Sequence, residues 1–194
     1  TEEDRIKDTR IMKLFKHHPM FVFGLFSLLA YEIAEISINS YFINFVTGQG
    51  WMDDNSASMV LTVALGFFMV GRFLGSWIMR RIPAERMLMY CSLGSVSCLG
   101  VVLLDIGHWS MYALIANYLF EAIMFPTIFS LSLQGLGNLT KSASSLLMMT
   151  PIGGCFFLLM GYVADQTNLV VPFLIPFIGY FIVLLYASEL SRKS

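Results

Sequence analysis

In the stretch FEAIMFPTIFSLSLQ, residues 120–134, Glu121 stands five residues before Pro126 in a segment otherwise apolar enough for lipid. A carboxylate in hydrocarbon is costly even on the gentlest insertion scales, so it marks a site that compensates it. Two more acids, Glu32 and Glu35, lie in YEIAEISINSYFINF, residues 31–45, where Glu32, Glu35 and Asn39 follow at spacings of three and four. That spacing stacks them on one helical face. Asn117 and Glu121 share a face by the same rule, with Tyr118 beside them and Gln134 further along.

Carboxyl groups in a half-wet cavity of low dielectric can take up and release protons, which is the requirement for proton coupling. Glu35 and Glu121 are the first candidates for that role and Glu32 the third. The competing reading for each is an interhelical hydrogen bond, with a protonated glutamate packing as glue. Tyr31, Tyr41, Phe42 and Phe125 lie near these faces and offer rings on which a sugar could stack. Pro126 removes the amide that would bond the Ala122 carbonyl and so predicts a kink one turn from Glu121. Pro151, Gly153 and Gly154 predict a second break, read either as a hinge or as close helix packing.

The elements that position these residues follow from composition. Of 194 residues 57% are hydrophobic and 13% charged, and the mean hydropathy is +0.71. A bilayer core needs roughly 20 apolar residues per helix, and six windows fit: near 20–46, 59–79, 87–106, 109–133, 142–164 and 169–188. Runs such as LLMMTPIGGCFFLLMG do not alternate, which excludes a transmembrane β-barrel. The sequence therefore predicts an all-α membrane protein. A charged lead or linker occupies 1–18, a six-helix bundle 19–189 and a short tail 190–194.

Eleven of the twelve Lys and Arg fall in alternate joints: Arg5 to Lys16, Arg80 to Arg86, Lys141, and Arg192 with Lys193. The positive-inside rule makes those segments, and with them both termini, cytoplasmic. The other joints carry Asp53, Asp54, Asp105 and Asp165 without a basic residue. The twelfth cation, Arg72, lies inside the second window near its cytoplasmic end, where it can snorkel or pair. Six helices with both ends inside divide into two sets of three of inverted topology, a transporter signature. The membrane acids fall on the first helix of each set.

Cys91, Cys98 and Cys155 all lie in apolar windows, His17 and His18 at the edge of the first and His108 in a loop, which gives neither a disulfide framework nor a metal site. The serine-hydrolase, zinc-protease and phosphate-loop motifs are absent, so the residues point to no enzyme. No basic domain exists on which nucleic-acid binding could rest.

FEAIMFPTIFSLSLQGLG followed by KSASSLLMMTPIGGCFFLLMGYVAD strongly resembles helices ten and eleven of the fucose permease family, the fucose/galactose/glucose:proton symporters of the major facilitator superfamily. AEISINSYFINF looks like the acidic seventh helix of its glucose/galactose branch, and GRFLGSWIMRRIPAERML like the segment leaving helix eight. The likeness runs from about Pro19 to Glu189. It implies the C-terminal half of a twelve-helix transporter, in which a hexose binds between two six-helix halves and protons move on carboxylates. Two positions depart from the pattern. Glu121 stands where the glucose/galactose branch commonly has asparagine, and Glu32 where it has a small or apolar residue.

The resulting expectation is a multi-pass protein of the bacterial inner membrane that carries a hexose with protons by alternating access, without a cofactor. Glu35, Asn39, Asn117 and Glu121 would face the sugar. Pro126 and the Pro151–Gly154 stretch would let helices bend, with Arg72 and Arg80 as gate or anchoring elements. The missing wall would come from an N-terminal half or from a second copy, and Thr1 in place of Met agrees with a piece of a longer protein. The reading from another class is a membrane sugar sensor or assembly subunit on the same half-bundle.

Overall fold

The computed structural model describes residues 1–194 and is all-helical. Six segments are long and apolar enough to cross a membrane: Pro19–Gly48, Asp54–Ile78, Ala84–Leu103, His108–Ser132, Gly137–Gln166 and Val171–Lys193. The first three are single helices, α2 (Pro19–Gly48), α3 (Asp54–Ile78) and α4 (Ala84–Leu103), preceded by α1 (Glu2–His17). The fourth is split into α5 (His108–Glu121) and α6 (Met124–Ser132). In the fifth, α7 (Thr140–Leu147) and α8 (Phe157–Gln166) are separated by a 3₁₀ segment, Thr150–Phe156. The sixth ends the chain as α9 (Leu174–Lys193).

Local chemistry explains where the elements differ from the apolar windows. The charged lead is a regular helix: Glu2, Glu3 and Asp4 fill its first turn and Lys16 and His17 its last, each sign set against the opposite end of the helix dipole. Hydropathy windows cannot see such a helix, because it is stabilised by charge order and not by lipid. The sixth helix overruns its window through Leu190 to Lys193, where Arg192 and Lys193 pair with Glu189 at 3.1 and 3.8 Å. The second begins earlier than its window, with Asp53 in extended conformation at the N-cap of α3 and Asp54 in the first turn, where negative charge suits the helix dipole.

Burial is unequal among the spans. In the first and fourth, 56% of the most apolar stretch is buried inside the bundle, against 17% in the second. The centre is therefore α2 with α5 and α6, against which α9, α4 and the 3₁₀ segment of the fifth span pack. Gly179 sets the spacing of α9 on α2: a Cβ there would lie 2.8 Å from the Ala30 carbonyl oxygen and 3.1 Å from the Ala34 Cβ. This close approach brings the next residue, Tyr180, into the centre of the bundle.

Candidate functional site

The fourth span breaks at Ala122 and Ile123, immediately after Glu121. Pro126 has no amide to give the Ala122 carbonyl, and hydrocarbon offers no water, so other groups must satisfy the opened backbone. Three successive carbonyls find side-chain donors from three elements. The Tyr31 hydroxyl of α2 donates to Glu121 O at 2.9 Å. Arg72 Nε of α3 donates to Ala122 O at 3.4 Å, and Thr127 Oγ1 of α6 donates at 2.6 Å to Ile123 O, which also accepts the Thr127 amide at 3.3 Å. Gly71 lets α3 come this close, since a Cβ there would sit 2.9 Å from Leu119 O.

Beside the break lies a fully buried polar cluster. The Tyr180 hydroxyl donates to Glu121 Oε2. Asn117 Nδ2 lies 3.3 Å from that same oxygen and 3.3 Å from the Tyr180 hydroxyl. Glu121, Asn117, Tyr118 and Tyr180 are all 0% exposed. Glu121 Oε1, Asn117 Oδ1 and the Tyr118 hydroxyl have no partner. A buried unpaired acceptor is costly, so the cluster has spare capacity to bind a proton or a hydroxyl.

The expected site residues divide into two layers. Glu35 and Asn39 are half-buried on α2, and Glu35 lies within electrostatic reach of Glu121 and of Arg72. Asn39 Oδ1 is buried without a partner. Asn117 and Glu121, expected to face a sugar, are fully buried in this half, and the Tyr31 hydroxyl meets the backbone of Glu121. Glu32 is 7% exposed and neighbours Glu35. Arg72 is exposed beyond its Nε bond, with its guanidinium 4.9 Å from the Phe68 ring centre. Arg80 sits exposed in the turn after α3, away from this cluster.

Pro126 is exposed at the start of α6. Pro151, Gly153 and Gly154 lie within the 3₁₀ segment Thr150–Phe156. Thr150 Oγ1 donates to Leu147 O at 2.7 Å, the carbonyl that Pro151 cannot serve. Gly153 packs on Leu29 and Ile33, and Gly154 on Ile36.

Two of the proposed stacking rings are unavailable, because Tyr31 and Phe42 are fully buried in the core. Tyr41 is nearly buried, and its hydroxyl donates to Leu169 O at 3.0 Å. It also borders a cavity of about 390 Å³ at the far end of α2, with Ser40, Asn44, Tyr162 and Asp165. Tyr180 was not singled out from the sequence. The available signal was a tyrosine deep in an apolar span, where its hydroxyl must find a partner.

The chain matches no family model. It is 34% identical over 175 residues to the glucose/galactose transporter of Brucella abortus, covering 89% of this chain and 42% of that protein. It is 30% identical over 167 residues to the L-fucose-proton symporter of Escherichia coli, covering 84% and 38%. The crystal structure of the major facilitator transporter FucP in its outward conformation superposes with a TM-score of 0.89 at 28% identity, covering 94% of this chain and 44% of that one. A peptide transporter structure shares the fold at 14% identity and a TM-score of 0.78. The chain spans less than half the length of the curated relatives it matches. It is an integral multi-pass membrane protein, and it belongs to the major facilitator superfamily, in the family of the glucose/galactose and fucose transporters, as one half of that fold.

Proposed function

We propose that the chain is the C-terminal half of a secondary active transporter that moves a hexose with protons by alternating access. The observation that carries this reading is the buried Glu121, with one carboxyl oxygen held by Tyr180 and Asn117 and the other unpartnered. Buried carboxyl oxygens are ordinarily hydrogen-bonded, so the unpartnered Oε1 is a place for a proton to bind. The names of the relatives support a sugar as cargo, and one of them names the proton.

In this mechanism a hexose meets the half-buried Glu35 and Asn39 of α2, where hydroxyl groups find carboxylate and amide partners. Glu121 and Asn117 form the layer behind, and proton exchange between Glu35 and Glu121 couples the cavity to the buried cluster. Glu32 is a further proton acceptor on the same helix. The breaks at Pro126 and Pro151 let the fourth and fifth spans flex as this half rocks against its partner. Arg72 and Arg80 anchor or gate the cytoplasmic end. The partner is an N-terminal six-helix half or a second copy of this chain. The protein lies in a bacterial inner membrane with the basic end, and so both termini of this chain, in the cytoplasm.

The test is uptake of radiolabelled fucose, galactose and glucose into liposomes holding the natural full-length protein, with and without an inward proton gradient. Accumulation of one sugar only with the gradient is expected. If the folded, inserted protein moves none of the three under either condition, the reading fails.

A further inference from the structure

At the basic end of the bundle, α1 lies across α7 and the two enclose a cleft of about 270 Å³. Lys7 and Arg10 enter it from α1 and Lys141 from the first turn of α7, so three cations from two distant parts of the chain converge on one space. None of them takes part in an ion pair, and no acidic residue lines the cleft. The chain as a whole has a net charge of −1, so this concentration is local. Three unpaired cations repel one another and gain most from a shared anion.

The rest of the lining says what kind of anion. Ile11, Leu146 and Met149 form an apolar side of the same cleft. Met149, 64% exposed, and Ile152, 71% exposed and one turn further along the fifth span, extend that apolar side as a track away from the cations. A free inorganic phosphate would use the cations and leave this surface idle. A phospholipid uses both, with its phosphate at the level of Lys141 and an acyl chain running down the track.

We infer that the cleft between α1 and α7 binds the headgroup of an anionic phospholipid, which pins α1 to the bundle. Phosphate is the shared chemistry, and the lipid is its source because the apolar track begins where the cations end. A polybasic cluster at a membrane surface gains roughly fivefold in affinity per cation from an anionic headgroup. The inference is independent of the sugar pathway, because none of these residues touches the Glu121 cluster.

The experiment is native mass spectrometry of the natural full-length protein in a nonionic detergent. It is titrated separately with phosphatidylglycerol, with phosphatidylcholine of the same acyl chains, and with glycerol phosphate. Phosphatidylglycerol should bind preferentially, and the Arg10→Gln/Lys141→Gln variant should lose about 25-fold of that preference. The charge-conserving Arg10→Lys/Lys141→Arg variant should keep it, which separates loss of charge from loss of fold. Arg81→Gln, a cation at the same end but outside the cleft, should also keep it. Equal binding of the two lipids overturns the inference, as does an equal loss in Arg81→Gln. Glycerol phosphate binding as tightly as the lipid would assign the cleft to a free phosphate and overturn the lipid.

Discussion

Arg72 donates its Nε to the carbonyl of Ala122, the group that Pro126 leaves without its helical donor. The fifth span repeats the device with Thr150, whose hydroxyl serves the Leu147 carbonyl left open by Pro151. Each proline break is thus matched by a side-chain donor, as irregular backbone at membrane depth requires. Arg72 therefore has a structural task at the break, whatever it does at the cytoplasmic gate.

This relationship predicts a coupling between two mutations. Arg72→Met leaves the Ala122 carbonyl unpaired and should cost about 1–3 kcal/mol of stability. In a Pro126→Ala background the new amide takes that carbonyl, and the same substitution should cost about 1 kcal/mol less. The remainder is the loss of the guanidinium over Phe68. Denaturant unfolding of the four proteins in detergent measures the cycle. Strictly additive costs would mean that the Arg72 contact and the Pro126 break are not coupled.

Glu121 and Tyr180 make a second pair with opposite expectations. Glu121→Gln keeps a hydrogen-bonding group beside Tyr180 and Asn117 but cannot release a proton. It should abolish gradient-driven sugar accumulation while sugar exchange at equal pH persists. Tyr180→Phe removes one donor and leaves the carboxyl group able to titrate, so accumulation should fall only in part. Both are read in the same liposome assay, and full accumulation by Glu121→Gln would end its role as proton carrier.

How much of this was legible in the sequence depended on whether the signal was local. Six apolar stretches reveal six spans, because lipid demands length and composition together. The acids at 32, 35 and 121 stand out because no other charged residue falls in their two stretches, the first and the fourth. Tyr180 escaped notice because a lone tyrosine among apolar residues resembles core, and its partner is 59 residues away. The tie of Arg72 to Ala122 was equally hidden, since it exists only after Gly71 brings α3 against the break. The full burial of Asn117 and Glu121 was not legible either: helical spacing places residues on a face and does not say whether that face meets a cavity or another helix.

The position of Tyr180 rests on Gly179, which leads to a stability prediction with its own control. A methyl group at 179 meets backbone at Ala30, which cannot swing aside. Gly179→Ala should destabilise by about 1–3 kcal/mol and weaken the Tyr180–Glu121 contact. Gly100, within α4, has open space where a Cβ would go. Gly100→Ala should be neutral or stabilise by up to about 1 kcal/mol through helix propensity. Thermal unfolding of the two variants compares them directly, and equal effects would refute close packing at 179.

The fifth span gives the most direct test of bending. Its 3₁₀ segment, Thr150–Phe156, has poorer hydrogen-bond geometry than an α-helix, and Gly153 and Gly154 let it lie flat on α2 without anchoring side chains of their own. Pro151→Ala restores an amide that can bond the Leu147 carbonyl, so the segment should shift towards regular α-helix. Hydrogen–deuterium exchange across residues 150–156 should then slow, and sugar uptake should slow with it if flexing here accompanies each transport cycle. Slower exchange with unchanged uptake would leave the break as a packing feature and remove the hinge from the mechanism. Unchanged exchange would mean that the glycines alone, and not the proline, hold the segment open.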